Sequence, residues 1–293
     1  MIMTGSSWIE ISAEFPQEPA DWSLAAGILA DCGVTSSRVE SQPPRIISCV
    51  AKVNGYEEAV EAIKESLKNI GAVRFTYLEI PELDWIATFK DHFKAQKLGK
   101  KLAIIPTWDQ DTLFSNRIVI RLDPGQAFGT GDHPTTRMCL ELLEEVKLDG
   151  KSVLDLGCGS GILSIAAKKL GAKSVLGSDI EPISVEIARE NATNNNESIE
   201  LMCSAGLDLI KERKFDVIIS NIISATLIRL APQIKECLVD KGAWIVSGII
   251  ESNWNDVEKV ANQCGFMLIK KIVEGDWMAG HFSLGNSQVF DTE

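Results

Sequence analysis

The segment 151–162, KSVLDLGCGSGI, constrains this chain more than any other. Val153, Leu154 and Leu156 read as a buried strand. Gly157, Gly159 and Gly161 then fall at every second position, and Ile162, Leu163, Ile165 and Ala166 resume at helical spacing. A glycine turn between a buried strand and a helix N-terminus lets backbone N–H groups approach a ligand without interference from a Cβ. The segment therefore predicts an α/β sheet with a ligand at the carboxyl ends of its strands.

Two features separate this turn from a dinucleotide fingerprint. The glycines are spaced G-x-G-x-G rather than G-x-G-x-x-G, and Asp155 stands two residues before the first of them. A carboxylate there suits a ligand carrying a positive ammonium or sulfonium better than one carrying a pyrophosphate. The pattern is similar to the first motif of the class I S-adenosylmethionine methyltransferases.

At 293 residues the chain has room for about two domains. The formal net charge of −12 argues against direct nucleic-acid binding, which needs clustered Lys and Arg to meet backbone phosphates, and is compatible with a basic protein partner. The cysteines (32, 49, 139, 158, 203, 237, 264) are odd in number and contain no C-x-x-C pair, which reads as reduced thiols in a cytoplasmic protein. The histidines (92, 133, 281) are too scattered for a metal site. No signal peptide and no run of about 18 apolar residues is present, so a membrane role is not expected.

Residues 1–80 form the first expected domain. Trp8–Ser12, Val34–Glu40, Ile46–Val53 and Val73–Ile80 read as strands. One helix face is marked by Trp22, Ala25, Ile28 and Leu29, another by Val60, Ile63, Leu67 and Ile70. This β-α-β-β-α-β order is the split βαβ, ferredoxin-like arrangement. With 6 basic and 11 acidic residues the unit is not an RNA-binding face, and it pairs no nucleophile with a base, so it reads as a docking module. Residues 81–101 are the expected connector. Trp85, Ile86, Phe89 and Phe93 lie there at helical spacing, with a basic cluster of Lys90, Lys94, Lys97, Lys100 and Lys101.

Residues 102–293 form the second expected domain. Lys101–Thr107 and Arg117–Leu122 read as a strand pair, followed by FGTGDHPTT at 128–136, a second ligand-cradling loop ahead of a helix that Pro134 begins. Strands are then expected at Ser152–Leu156, Ser174–Asp179, Leu201–Cys203, Phe215–Ser220 and Ala243–Ser247, with a terminal hairpin over Gly265–Val273 and Trp277–Phe282. The alternation predicts a Rossmann-like doubly wound sheet. Asp179 lies 22 residues after Gly157, where such a site places the acid that accepts from ribose hydroxyls; Glu181 is its competitor. Asn221 follows an apolar run and should emerge at the sheet edge with an amide for the ligand.

The order FGTGDHPTT, VLDLGCGSG, SDIEP and FDVIISNI resembles the methyltransferases of ribosomal protein L-eleven, the large-subunit stalk-base protein. Asp84-Trp85, Pro106-Thr107-Trp108 and Asp276-Trp277 share in the resemblance, which spans nearly the whole chain. It implies a ferredoxin-like module that docks the substrate and a monomer that methylates lysine ε-amino and α-amino groups. The resulting cofactor-binding set is Thr136, Gly157, Gly159, Asp179 and Asn221, with S-adenosylmethionine as cofactor. No catalytic side chain and no metal ligand is assigned, and His133 reads as helix-start packing rather than a base. Asp-Ile-Glu replaces the commoner Asp-Ile-Asp, and Ile-Ile-Ser-Ala-Thr at 222–226, after Asn221, stands where a small Ala-Gly-Pro or Ala-Asn run is usual, leaving the exact substrate open. The rival readings are a methyltransferase for another protein, RNA or a small molecule, a nicotinamide-dependent oxidoreductase, and a non-catalytic ribosome-associated binder.

Overall fold

The computed structural model describes residues 7–285 apart from 20–21, 23–24, 26–27, 30–31, 33, 35–36, 53–54, 82–94, 110–113, 115, 123–128, 130 and 132. The chain divides into two compact units, Met1–Phe93 and Lys94–Glu293. Most of the expected connector, with Trp85, Ile86, Phe89, Phe93, Lys90 and Lys94, lies outside the described residues.

In the first unit, β1 (Ser7–Glu14), β2 (Ser37–Ser41), β3 (Pro44–Ala51) and β4 (Arg74–Pro81) form an antiparallel sheet in the order β2-β3-β1-β4. Alternation decides which face is buried: Ile9, Ile11 and Ala13 of β1 point the same way, with Ile46 of β3. Helix α1 (Tyr56–Asn69) lays Ile63 and Leu67 on that face, joined by Ala25 and Leu29 from the expected earlier helix. Glu57 and Glu58 in the first turn of α1 and Lys68 in the last complement its dipole. Gly71, at φ 104, ends it through an N–H to the Lys68 carbonyl. Strand order and pairing are those of a split βαβ, ferredoxin-like sheet.

The second unit is built on a seven-stranded sheet. Its strands are β8 (Ser152–Leu156), β9 (Ser174–Asp179), β10 (Glu200–Cys203), β11 (Phe215–Asn221), β12 (Leu238–Ile250), β13 (Phe266–Glu274) and β14 (Trp277–Leu284), in the order β10-β9-β8-β11-β12-β14-β13. The first five are mutually parallel and the terminal hairpin runs antiparallel. The chain winds outward from β8 through α3 (Ile162–Lys169) to β9, then through α4 (Pro182–Asn194) to β10. It returns to β11 on the other side of β8 and continues through α5 (Ser224–Cys237) to β12. The winding direction therefore reverses between β8 and β11, where doubly wound sheets open a crevice.

Trp244, Phe266, Phe282 and Trp254 pack together in the core on the far side of this sheet, the last contributed by α6 (Trp254–Gln263). A smaller sheet precedes it. Strand β5 (Gln96–Leu98) pairs antiparallel with β6 (Leu102–Ile105), and β6 pairs parallel with β7 (Ile118–Arg121). Strand β5 falls inside the expected connector. It is held by α2 (Pro134–Glu145), whose buried Glu144 carboxylate accepts the backbone N–H groups of Lys100, Lys101 and Leu102 at 2.7, 2.8 and 2.9 Å.

Candidate functional site

The glycine turn bridges β8 and α3, and all three of its glycines have positive φ: 78° at Gly157, 51° at Gly159 and 79° at Gly161. L-residues rarely adopt this region. Space is as restrictive as conformation. A Cβ on Gly157 would lie 2.4 Å from Ile222 Cγ2, and one on Gly161 2.9 Å from Ala188 Cβ.

The turn does not offer its amides as expected. Gly157 N and Cys158 N both donate to the Ser178 carbonyl, Gly161 N to the Cys158 carbonyl, and Gly159 N to Asp179 Oδ2 at 2.8 Å. Strand β9 lies alongside β8 and consumes the N–H groups that a phosphate would need. What remains on this edge is a set of acceptors. Asp179 ends β9, and its Oδ1 accepts from Glu181 N at 3.0 Å. Each carboxylate oxygen still has a lone pair for a hydroxyl donor. Glu181 is exposed at the N-cap of α4.

Asp155 lies in β8, two residues before the first glycine. It is buried beneath the turn, where Ser164 Oγ donates to its Oδ2 at 2.7 Å, while Oδ1 has no partner among the described residues. Burial pushes its pKa from 3.8 up to about 7; the Ser164 bonds oppose this and the nearby Asp179 charge adds to it. Cys158 is also buried and its thiol is pushed far up, so it is an inert packing residue rather than a nucleophile.

On the other flank, Pro134 occupies the first turn of α2 and His133 is the N-cap, its Nδ1 accepting from Thr135 N and lying 2.7 Å from Thr135 Oγ1. With Nδ1 serving as acceptor, the ring proton sits on Nε2. Burial, with Arg137 adding to it, holds the His133 pKa below the ordinary histidine value. Its ring packs edge-on to Trp277 at 4.9 Å between centroids, as helix-start packing requires. Thr136 is fully buried, and its Oγ1 accepts from Asn221 Nδ2 at 3.3 Å. Asn221 Oδ1 is buried without a partner among the described residues.

The five candidate residues thus meet at the carboxyl ends of β8, β9 and β11 in two bonded pairs, Gly159–Asp179 and Thr136–Asn221. Ile222, next to Asn221, links the pairs by packing on Gly157. Residues 123–128, Thr130 and Asp132 of the FGTG region lie outside the described residues. Sequence reasoning missed two exposed apolar side chains at this edge, Ile180 after Asp179 and Ile223 after Ile222. Their signal was an isoleucine placed directly beyond a strand end, where water rather than core awaits it. Among the described residues no cluster of His, Cys, Asp and Glu could hold a metal ion, and no helix is long and apolar enough to cross a membrane.

The family model described as ribosomal protein L11 methyltransferase (PrmA) matches residues 16–284. A relative from Caldanaerobacter subterraneus subsp. tengcongensis, named ribosomal protein L11 methyltransferase, is 42% identical over 231 residues, covering 78% of this chain and 74% of its own. One of the same name from Pelobacter propionicus is 39% identical over 269 residues, covering 83% and 86%. The crystal structure of the ribosomal protein L11 methylase from Lactobacillus delbrueckii subsp. bulgaricus superposes with a TM-score of 0.62 at 37% identity, covering 66% of this chain and 100% of that one. Family match, identity and fold agree: this chain belongs to the ribosomal protein L11 methyltransferase family.

Proposed function

We propose that the chain binds S-adenosylmethionine at the carboxyl edge of its seven-stranded sheet and methylates amino groups of ribosomal protein L11. The observation that carries the cofactor site is the convergence of Gly159–Asp179 and Thr136–Asn221 around Gly157, which leaves two buried acceptors, Asp155 Oδ1 and Asn221 Oδ1, without donors among the described residues. A buried polar atom left unpaired costs about 1–3 kcal/mol, so this edge favours a ligand that brings donors. S-adenosylmethionine fits: its ammonium, ribose hydroxyls and adenine amino group are donors, and when bound it supplies a methyl carbon activated by a positive sulfonium.

The chain's own residues divide the remaining tasks. Asp179 takes the ribose hydroxyls while its bonds to Gly159 and Glu181 hold it in place. Gly157 lets Ile222 pack against the turn, where a Cβ would stand 2.4 Å from Ile222 Cγ2. Thr136 orients the Asn221 amide, whose free oxygen holds a donor at the edge. Ile222 and Ile223 line the mouth with apolar surface that excludes water. Alignment of a neutral amine is the main demand of methyl transfer, and orientation of this kind supplies much of an enzyme's rate. His133, with its proton on Nε2 and Nδ1 engaged, is not a base for the amine.

The acceptors are lysine ε-amino and α-amino groups of L11, docked by the first unit, in the cytoplasm, with the enzyme acting as a monomer and without binding RNA directly. Incubation of the full chain with methyl-labelled S-adenosylmethionine and purified L11, followed by peptide mass mapping, tests this. Label on L11 amino groups is expected; an unlabelled L11 under conditions that keep both proteins folded refutes it.

A further inference from the structure

Two buried side chains outside the five candidate residues hold the glycine turn, one tying it to Gly129 and the other to α4. Ser160, between the second and third glycines, is 3% exposed, and its Oγ donates to the Gly129 carbonyl at 2.6 Å. A Cβ on Gly129 would stand 3.1 Å from that oxygen, and the residue's φ is +97°, so only glycine lets the two segments close this tightly. From the other side, Asn191 of α4 donates its Nδ2 to the Ser160 carbonyl at 2.9 Å.

At the C-cap of α4, Asn195 accepts Arg121 N at 2.8 Å and donates to the Arg121 carbonyl at 2.6 Å. Arg121 is the last residue of β7. Helix α4 begins three residues after Asp179, so one element carries the acid's neighbour at its start, the turn through Asn191, and the end of β7 through Asn195. Both asparagines are 5% exposed. Burying two amides where apolar side chains could pack the same helix is costly unless their bonds fix geometry.

We infer that Ser160 and Asn191 are positioning residues for the cofactor, Ser160 tying Gly129 to the glycine turn and Asn191 fixing the Ser160 backbone, so that Thr136 and the turn present one preformed site. The inference rests on the methyltransferase reading. Neither side chain need touch the ligand; both set the spacing between segments that would.

The test uses the full chain. Ser160→Ala and Asn191→Ala should each weaken S-adenosylhomocysteine binding about tenfold in titration calorimetry, the worth of one buried hydrogen bond. The KM for S-adenosylmethionine should rise in step while the KM for L11 stays put. The double variant should lose less than the sum of the two, because they share one relay. A merely structural role would lower the ligand-free melting temperature yet leave the folded protein's affinity within about twofold of wild type, and that result overturns the inference.

Should a variant fail to fold, amide exchange on the wild type decides. S-adenosylhomocysteine should protect residues 129–131 and 157–161 together, and protection of the turn alone overturns the proposal. A wild type that binds no S-adenosylhomocysteine instead refutes the methyltransferase reading, and this inference falls with it.

Discussion

Asp155→Asn should stabilise the ligand-free protein, and the gain should grow with pH. The carboxyl is fully buried, bonded by Ser164, with its Oδ1 left without a partner among the described residues. Burial raises its pKa from 3.8 to about 7. A folded-state pKa above the unfolded one means that the folded protein binds more protons between those values, so stability falls as pH rises through that window. Below the unfolded pKa the group is neutral in both states and its contribution is intact; above the folded value the cost of the buried charge is complete. Roughly three pKa units at 1.36 kcal/mol each amount to about 4 kcal/mol. Asparagine keeps an oxygen for Ser164, has nearly the same shape and does not titrate. The stability difference between variant and wild type should therefore widen by about 4 kcal/mol between about pH 4 and about pH 8. Urea unfolding at a series of pH values, followed by tryptophan emission, measures it, since Trp244 and Trp254 are buried in the same unit. Parallel pH profiles for the two proteins would refute the claim that Asp155 is held in a desolvated site.

Three further outcomes bear on the site. If the ligand's ammonium pairs with the orphaned oxygen of Asp155, S-adenosylmethionine affinity of the wild type should rise with pH through about 7 and lose that dependence in Asp155→Asn; a flat wild-type profile removes the pairing. Gly157→Ala combines left-handed backbone strain of about 1–2 kcal/mol with displacement of Ile222 at about 1–3 kcal/mol, so it should melt lower and bind S-adenosylhomocysteine more than about tenfold more weakly; undiminished affinity in calorimetry would count against the crevice. Asp179→Asn can no longer accept from Gly159, Glu181 and a ribose together and should cost about tenfold or more in the same assay, whereas Glu181→Gln should change little; equal losses would move the ribose contact to Glu181.

Much of this was legible in the chain because it is local. Buried runs such as Val153–Leu156 and Phe215–Ser220 announce strands through their own composition, and the chemistry-bearing residues stand at the ends of those runs. Elements set by distant partners were not. Strand β5 has three residues, and it forms because Glu144, more than forty positions on, gathers three amides at its turn. Helix α5 contains Pro232 and starts beside the exposed Ile223, so its apolar stripe lacks a clean beginning. Helix α6 shows only Trp254, Val257 and Ala261 as its buried face and follows a single 3-10 turn.

The glycine turn itself shows the limit most clearly. Its spacing predicted close approach of the backbone to a ligand; the positive φ values and the Ile222 contact show why glycine stands there, and the fate of its amides depended on a carbonyl that arrives a helix later at Ser178. That non-local detail decides the chemistry. With the N–H groups of Gly157, Cys158, Gly159 and Gly161 already bonded and carboxylates near the ends of both β8 and β9, a pyrophosphate would meet few donors and two negative charges. A nucleoside carrying cationic groups meets the reverse. The same argument explains why the acid two residues before the first glycine matters although it is buried. An ionised Asp155 without a cation is a cost to the folded chain, and a bound sulfonium or ammonium nearby would turn that cost into affinity.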